Sequence, residues 1–178
     1  MTVLTLRFFK LTPLLGLPLL LAACGSMGQM GPSASSRLEA LGHSGVSGTA
    51  TLVQHGDHVM ARVIVSGLAP GQAHGFHIHE KGDCSAPDGM SAGGHFNPSA
   101  HPHGPQDSEH HGGDMPSLQA DASGNAAATF HLTGVTVSDG PTSMVGRAII
   151  VHKDPDDYKT QPTGNSGARV ACGVITQP

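Results

Sequence analysis

Two histidines one residue apart, His77 and His79 in Gly75-Phe76-His77-Ile78-His79-Glu80, are the first residues in this chain whose type and spacing suggest chemistry. Successive side chains on a β-strand leave opposite faces, so both imidazoles project from one side while Phe76 and Ile78 point to the other. One face is suited to binding, the other to packing. Downstream, His95, His103 and His111 follow at an even eight-residue spacing, then Asp114, and His152 closes an apolar run. Imidazole suits zinc and copper, and a carboxylate completes a tetrahedral zinc shell. A lone strand histidine is more often a hydrogen-bonded core residue, and 13 histidines in 178 residues bring some together by chance. Taken together, these residues read as a metal site assembled from distant segments.

The elements that must carry them are strands. The chain has 25 Gly and 13 Pro, no Trp, one Tyr and five Phe, which points to many turns and an aliphatic core. A first strand is expected at residues 37–41, although Leu-Glu-Ala-Leu could also open a helix. Clearer strands follow at 48–54 and 58–66, where Val59, Ala61, Val63 and Val65 alternate with Met60, Arg62 and Ile64. His55-Gly56-Asp57 forms the hairpin turn between them. The histidine strand is expected at 75–80, and others at 126–133, 146–152 and 169–176. Periodicity disappears over 81–116, a stretch dense in Gly, Pro, His and Asp, and a second loop spans 153–167. Long loops of this kind are usually functional or disordered, and metal ligation would order them. Short strands separated by turn signals indicate an all-β sandwich or barrel.

Ahead of this domain, Arg7 and Lys10 precede an uncharged apolar run over residues 11–23 that is short for a membrane span and reads as an export signal. The run ends in Leu21-Ala22-Ala23-Cys24, which resembles a bacterial lipobox, where cleavage leaves an acylated cysteine. An ordinary signal peptide with cleavage nearby is the alternative. The expected organisation is a signal over 1–23, a flexible tether over 24–36 after a lipidated Cys24, and a β domain over 37–178. Cys24 accounts for the odd one of three cysteines, which leaves Cys84 and Cys172 to pair in an oxidising compartment or to stay as buried thiols. Export favours the bridge, which would close a loop of roughly ninety residues, worth about 4 to 5 kcal/mol. Loss of Arg7 and Lys10 moves the formal charge from −4 to −6, so nothing marks the protein for nucleic acid. A small anionic substrate would need a locally positive entrance.

The motifs together resemble the copper,zinc superoxide dismutase family, in its exported bacterial branch. Gly75-Phe76-His77-Ile78-His79-Glu80, Gly93-Gly94-His95-Phe96-Asn97-Pro98, His111-Gly112-Gly113-Asp114, Gly146-Arg147 through Val151-His152, and Gly164-Asn165-Ser166-Gly167-Ala168-Arg169-Val170-Ala171-Cys172-Gly173 match family segments in order over residues 37–178. The resemblance implies a Greek-key β-sandwich or flattened barrel of about eight antiparallel strands with two long functional loops. It implies copper ligands His77, His79, His95 and His152, zinc ligands His95, His103, His111 and Asp114, and one ion of each metal per chain. His95 would bridge the two metals and serve in catalysis. Asp156 would link His77 to His103 from outside the ligand shell, and Cys84 would bond to Cys172. Arg169 matches the arginine at the mouth of the copper channel, and Thr163 the threonine on its opposite wall.

The activity implied is dismutation of superoxide to dioxygen and hydrogen peroxide in the bacterial envelope, in a periplasmic enzyme anchored to a membrane through Cys24. The resemblance allows a homodimer or a monomer. Residues 153–167 are fewer than in eukaryotic members, which leaves Lys159 as a candidate for steering the anion. His101 and His110 neighbour the expected zinc ligands and compete with them, whereas His43, His55, His58 and His131 have no assigned role. His74 is expected to hydrogen bond structurally. A metal-buffering protein on the same sandwich would be expected to lack copper ligands or the channel arginine, and neither is missing. An adhesion module would leave the histidines unexplained.

Overall fold

The structure, a computed structural model, describes residues 1–3 and 31–178. The expected signal and the lipidation site Cys24 therefore lie almost wholly outside the described residues. Among the described residues, nine strands run in chain order: β1 (Ser33–Ala40), β2 (Ser47–His55), β3 (His58–Ser66), β4 (Ala73–His74), β5 (Phe76–His79), β6 (Leu118–Gln119), β7 (Ala126–Thr133), β8 (Ala148–His152) and β9 (Arg169–Thr176). A short 3-10 turn covers Met90–Ala92.

Seven strands form one antiparallel sheet in the order β5-β8-β9-β1-β2-β3-β7. β4 and β6 pair separately. β4 runs into β5 across Gly75, while β6 packs beside β7, so the small sheet spans the two edges of the large one. The sheet consequently curls toward a flattened barrel, as the sequence leads one to expect.

Alternation sets the core. On β3, Val59, Ala61, Val63 and Val65 are buried, whereas Arg62 and Ile64 face outward. Leu38, Leu52, Leu132 and Ile175 from neighbouring strands join Phe76, Ile78, Ile149 and Val151 in the main cluster. Each such side chain contributes about 1.5 to 3 kcal/mol on full burial. A second, smaller cluster of Leu41, Ala92, Ala148, Ile150 and Cys172 lies on the far face of β8.

Several details differ from expectation; β2, β5 and β8 shift by one or two residues at their ends. The first strand begins at Ser33, so residues 33–36 belong to the sheet and not to a tether. Ser33 through Leu38 pair with β2, and Ser35 and Ser36 also pair with β9. Two neighbouring strands supply the backbone partners that a serine-rich segment cannot supply for itself. Leu38-Glu39-Ala40 completes this strand, and no helix starts there. The two-residue pair β4/β6 is too short to leave any periodic mark in the sequence.

Candidate metal centre

β5 carries His77 and His79, and all four of its residues are buried. Phe76 and Ile78 face the core, whereas the long loop covers the imidazole face. The loop docks by its backbone: the Ile78 N–H donates to the Gly113 carbonyl, Phe96 N–H to Ile78, and Gly113 N–H to Phe96, each at 2.8 Å. His95 is thereby bridged to His79 and Asp114 to His77 along the free edge of β5. Gly113 is required by this approach, since a Cβ there would sit 2.2 Å from the Ile78 carbonyl oxygen. Across β5 lies β8, whose last residue, His152, donates its N–H to the Gly75 carbonyl at 2.8 Å.

Two groups of side chains converge. His77, His79, His95 and His152 offer nitrogens within 4.8 Å of one another, and the nitrogens of His95, His103 and His111 and a carboxylate oxygen of Asp114 converge equally closely. His95 belongs to both. All seven residues are buried.

Hydrogen bonds fix which nitrogens face inward. His79 Nδ1 donates to the Gly93 carbonyl at 2.9 Å and His152 Nδ1 to the Gly167 carbonyl at 3.3 Å. With those protons placed, the two Nε2 atoms, 3.4 Å apart, confront each other with bare lone pairs. No hydrogen bond can join two acceptors; a cation can. His77 Nε2 donates to Asp156 Oδ2 at 2.7 Å, which leaves its buried Nδ1 without a partner, as is His95 Nε2. In the second group, one oxygen of Asp114, Oδ1, lies 2.8 Å from His95 Nδ1, 2.9 Å from His103 Nδ1 and 3.3 Å from His111 Nδ1. Its other oxygen accepts the N–H groups of Gly104 and His111. Both donor sets fit a metal ion: four imidazoles in one, three imidazoles and a carboxylate in the other.

Asp156 joins the groups from outside. Its Oδ1 accepts from His103 Nε2 at 2.9 Å while Oδ2 holds His77. Gly164, at φ +66°, makes room for it, since a Cβ there would lie 1.8 Å from Asp156 Oδ1 and 2.6 Å from His103 Nε2. Glycine alone suits that backbone angle and that space.

Electrostatics keep the first group neutral. Burial depresses the pKa of His77 and His79, and lowers His95 to about 4 and His152 to about 3, so their lone pairs are free to ligate at neutral pH. His103 goes the other way. Burial opposes its charge, but the flanking Asp114 and Asp156 carboxylates raise it to about 9. The second group thus draws positive charge to the spot between its carboxylates. Asp114 and Asp156 resist protonation in turn: burial raises them, but their imidazole partners outweigh it.

The family model for copper/zinc superoxide dismutase (SODC) matches residues 46–175. A Deinococcus radiodurans protein named superoxide dismutase [Cu-Zn] is 40% identical over 182 residues, covering 95% of this chain and 97% of its own length. The chain belongs to the copper/zinc superoxide dismutase family. An Aquifex aeolicus protein, superoxide dismutase [Cu-Zn] 2, is 41% identical over 135 residues, 73% of this chain and 79% of its own. The crystal structure of a SOD-like protein from Bacillus subtilis superposes with a TM-score of 0.72 at 33% identity, covering 82% of this chain and 98% of that one.

In this copper/zinc superoxide dismutase relative, Arg169 begins β9 as the cross-strand partner of His152. Its guanidinium donates through Nη1 to the Gly89 carbonyl at 2.7 Å and through Nη2 to the Gly93 carbonyl at 2.6 Å. The disulfide Cys84–Cys172 ties the loop that carries both carbonyls to β9, with Cα atoms 5.8 Å apart. Thr163 is half-buried, its carbonyl accepting from Ser166 Oγ at 3.4 Å, and Lys159 is exposed. His101 and His110 stay out of both groups; His110 Nδ1 donates to the Ser108 carbonyl at 2.7 Å. His43 is exposed. His74 Nδ1 donates to the His152 carbonyl at 3.0 Å, a structural role.

Some contributors carry no sequence signal. Gln161 clasps the backbone of His103, accepting its N–H at Oε1 and donating from Nε2 to its carbonyl, both at 2.8 Å. Arg147 lays its guanidinium 3.5 Å above the Phe96 ring and donates to the Glu80 carbonyl, bracing the residue after His95. Only the Gly146-Arg147 pairing in the motif could have drawn attention to it.

Proposed function

We propose that this protein dismutates superoxide, two anions and two protons giving one dioxygen and one hydrogen peroxide. His77, His79, His95 and His152 would hold copper, and His95, His103, His111 and Asp114 would hold zinc, one of each per chain. When bound, copper supplies the electron transfer by alternating between its two oxidation states, while zinc contributes charge and rigidity. The observation that carries this reading is His95, a single buried imidazole with Nδ1 directed at one group and Nε2 at the other.

The chain's own residues do the remainder. Arg169 binds the anion: pinned to two carbonyls, its always-charged guanidinium offers its field to a small anion arriving beside His152, in a protein whose net charge is negative. Thr163 is read as the opposite wall of that approach. His95 Nε2, the nitrogen facing the copper group, would be the atom to take up a proton whenever it is not ligating and to give it to the peroxide product. Asp156 keeps His77 and His103 in one tautomer each.

The family's chemistry and the leader pattern together support a protein acting in the bacterial envelope, secreted and tethered through a lipid on Cys24. The Cys84–Cys172 bond suits such an oxidising compartment. Protein reconstituted with copper and zinc is expected to remove superoxide, and His152→Ala to abolish turnover with zinc still bound. No turnover by the reconstituted wild type would defeat the reading. Cys24→Ser is expected to release the protein from membranes at unchanged specific activity; continued membrane association would defeat the anchor.

A further inference from the structure

We propose that His55, His58 and His131, together with Met60, form an additional solvent-facing site for a late first-row transition-metal ion, copper foremost, on the outer face of the sheet. These residues lie outside both buried groups. Strand pairing sets them side by side. His55, the last residue of β2, pairs directly with His58, the first of β3, and β7 places His131 opposite Met60 and Thr133 opposite His58. His131 is therefore the diagonal neighbour of His58 on the same face, with Met60 across from it.

His58 is the central ring of the three, with His55 on one side and His131 on the other. Ring centroids are 5.9 Å apart for His55 and His58 and 5.3 Å for His58 and His131. All three side chains reach solvent on one face, where rotation about their side-chain bonds can turn the imidazole nitrogens toward a shared ion. A carboxylate also stands behind this cluster. His58 Nδ1 lies 3.2 Å from Asp57 Oδ1, which keeps the proton on Nδ1 and turns the Nε2 lone pair away from the carboxylate. Carboxylates orient metal-bound imidazoles in the same manner, and Asp156 holds His77 so in the buried centre.

Ligand chemistry decides the metal. Imidazoles accept Cu(II) and Zn(II), and a thioether adds preference for Cu(I), which no purely imidazole site has to the same degree. His55, His58 and Met60 sit on a hydrogen-bonded hairpin and His131 on the strand beside it, so little backbone rearrangement is needed on binding.

The test is to titrate copper- and zinc-loaded protein with Cu(II), and anaerobically with Cu(I), counting bound metal by equilibrium dialysis and elemental analysis. Wild type is expected to take up one equivalent of Cu(II) with its own paramagnetic signal that His58→Ala and His131→Ala both lose. Asp57→Asn is expected to weaken that equivalent by about 10-fold. Met60→Leu is expected to weaken Cu(I) at least about 10-fold while leaving Cu(II) in place. Superoxide turnover should be the same in all four variants. Because the count is a difference between wild type and variants, it does not depend on how fully the buried centre is loaded. Equal uptake and equal spectra in wild type, His58→Ala and His131→Ala would overturn the site, and unchanged Cu(I) affinity in Met60→Leu would overturn the thioether's part in it.

Discussion

Arg169 and His79 share one acceptor: the Gly93 carbonyl takes Arg169 Nη2 at 2.6 Å and His79 Nδ1 at 2.9 Å. The guanidinium proposed to meet the anion and an imidazole of the buried centre are thus indexed to the same oxygen. Arg169→Lys keeps the charge but loses the fork that reaches both Gly89 and Gly93. A fall in kcat/KM of about 10-fold or more is expected with metal content unchanged. Stopped-flow decay of superoxide, paired with elemental analysis, checks this; wild-type kinetics in the variant would detach Arg169 from the reaction.

Asp156→Asn replaces a carboxylate that accepts from two imidazoles with an amide that has only one acceptor oxygen. His77 and His103 cannot both keep their present tautomers. Affinity for the metals is expected to drop about 10- to 100-fold, seen by competition with a chromophoric chelator. Equal competition curves for variant and wild type would show that Asp156 does not orient the ligands.

The metal-free protein is expected to be most stable near pH 6.5. His95 and His152, lowered to about 4 and about 3, stay neutral in the fold while the unfolded chain takes up protons below 6.5, so stability is lost as the solution is acidified through that interval. His103, raised to about 9, contributes fully below 6.5 and loses its contribution as pH rises through 9. Urea midpoints of chelator-treated protein measured between pH 4 and pH 9 would reveal this dome, and a flat profile would contradict it.

Cys84→Ser removes the bridge between residues 88 apart in sequence. The chain-entropy model puts the loss of stability at about 4 to 5 kcal/mol. Turnover should fall as well, because the loop bearing Gly89 and Gly93 would no longer be fastened to the strand that carries Arg169. Denaturant unfolding and activity of the loaded variant are the measurements, and full activity would separate the bond from the arginine's placement.

What was legible in the sequence, and what was not, follows from the range of the interactions. β3 and β7 were readable because alternating burial repeats over a whole strand, and their bounds agree with expectation. His77 and His79 were readable because a period of two is local. The clasp of Gln161 on His103 spans 58 residues and joins a side chain to a backbone, so no local pattern announces it. The same holds for the carbonyls of Gly89 and Gly93, whose role depends on backbone direction and not on residue type. Ser33 to Ser36 misled because their strand is made by two neighbours and not by their own propensity.

The edge of β5 is closed by residues that the metals would hold in place: Phe96 beside His95, and Gly113 beside Asp114. Should a starved cell produce the protein without its ions, those segments would be held on β5 by backbone hydrogen bonds alone, and their opening would bare a short, apolar-backed rim of unpaired amides. Such a rim is a template on which another copy can crystallise its own strand. Metal supply would then govern solubility as well as turnover.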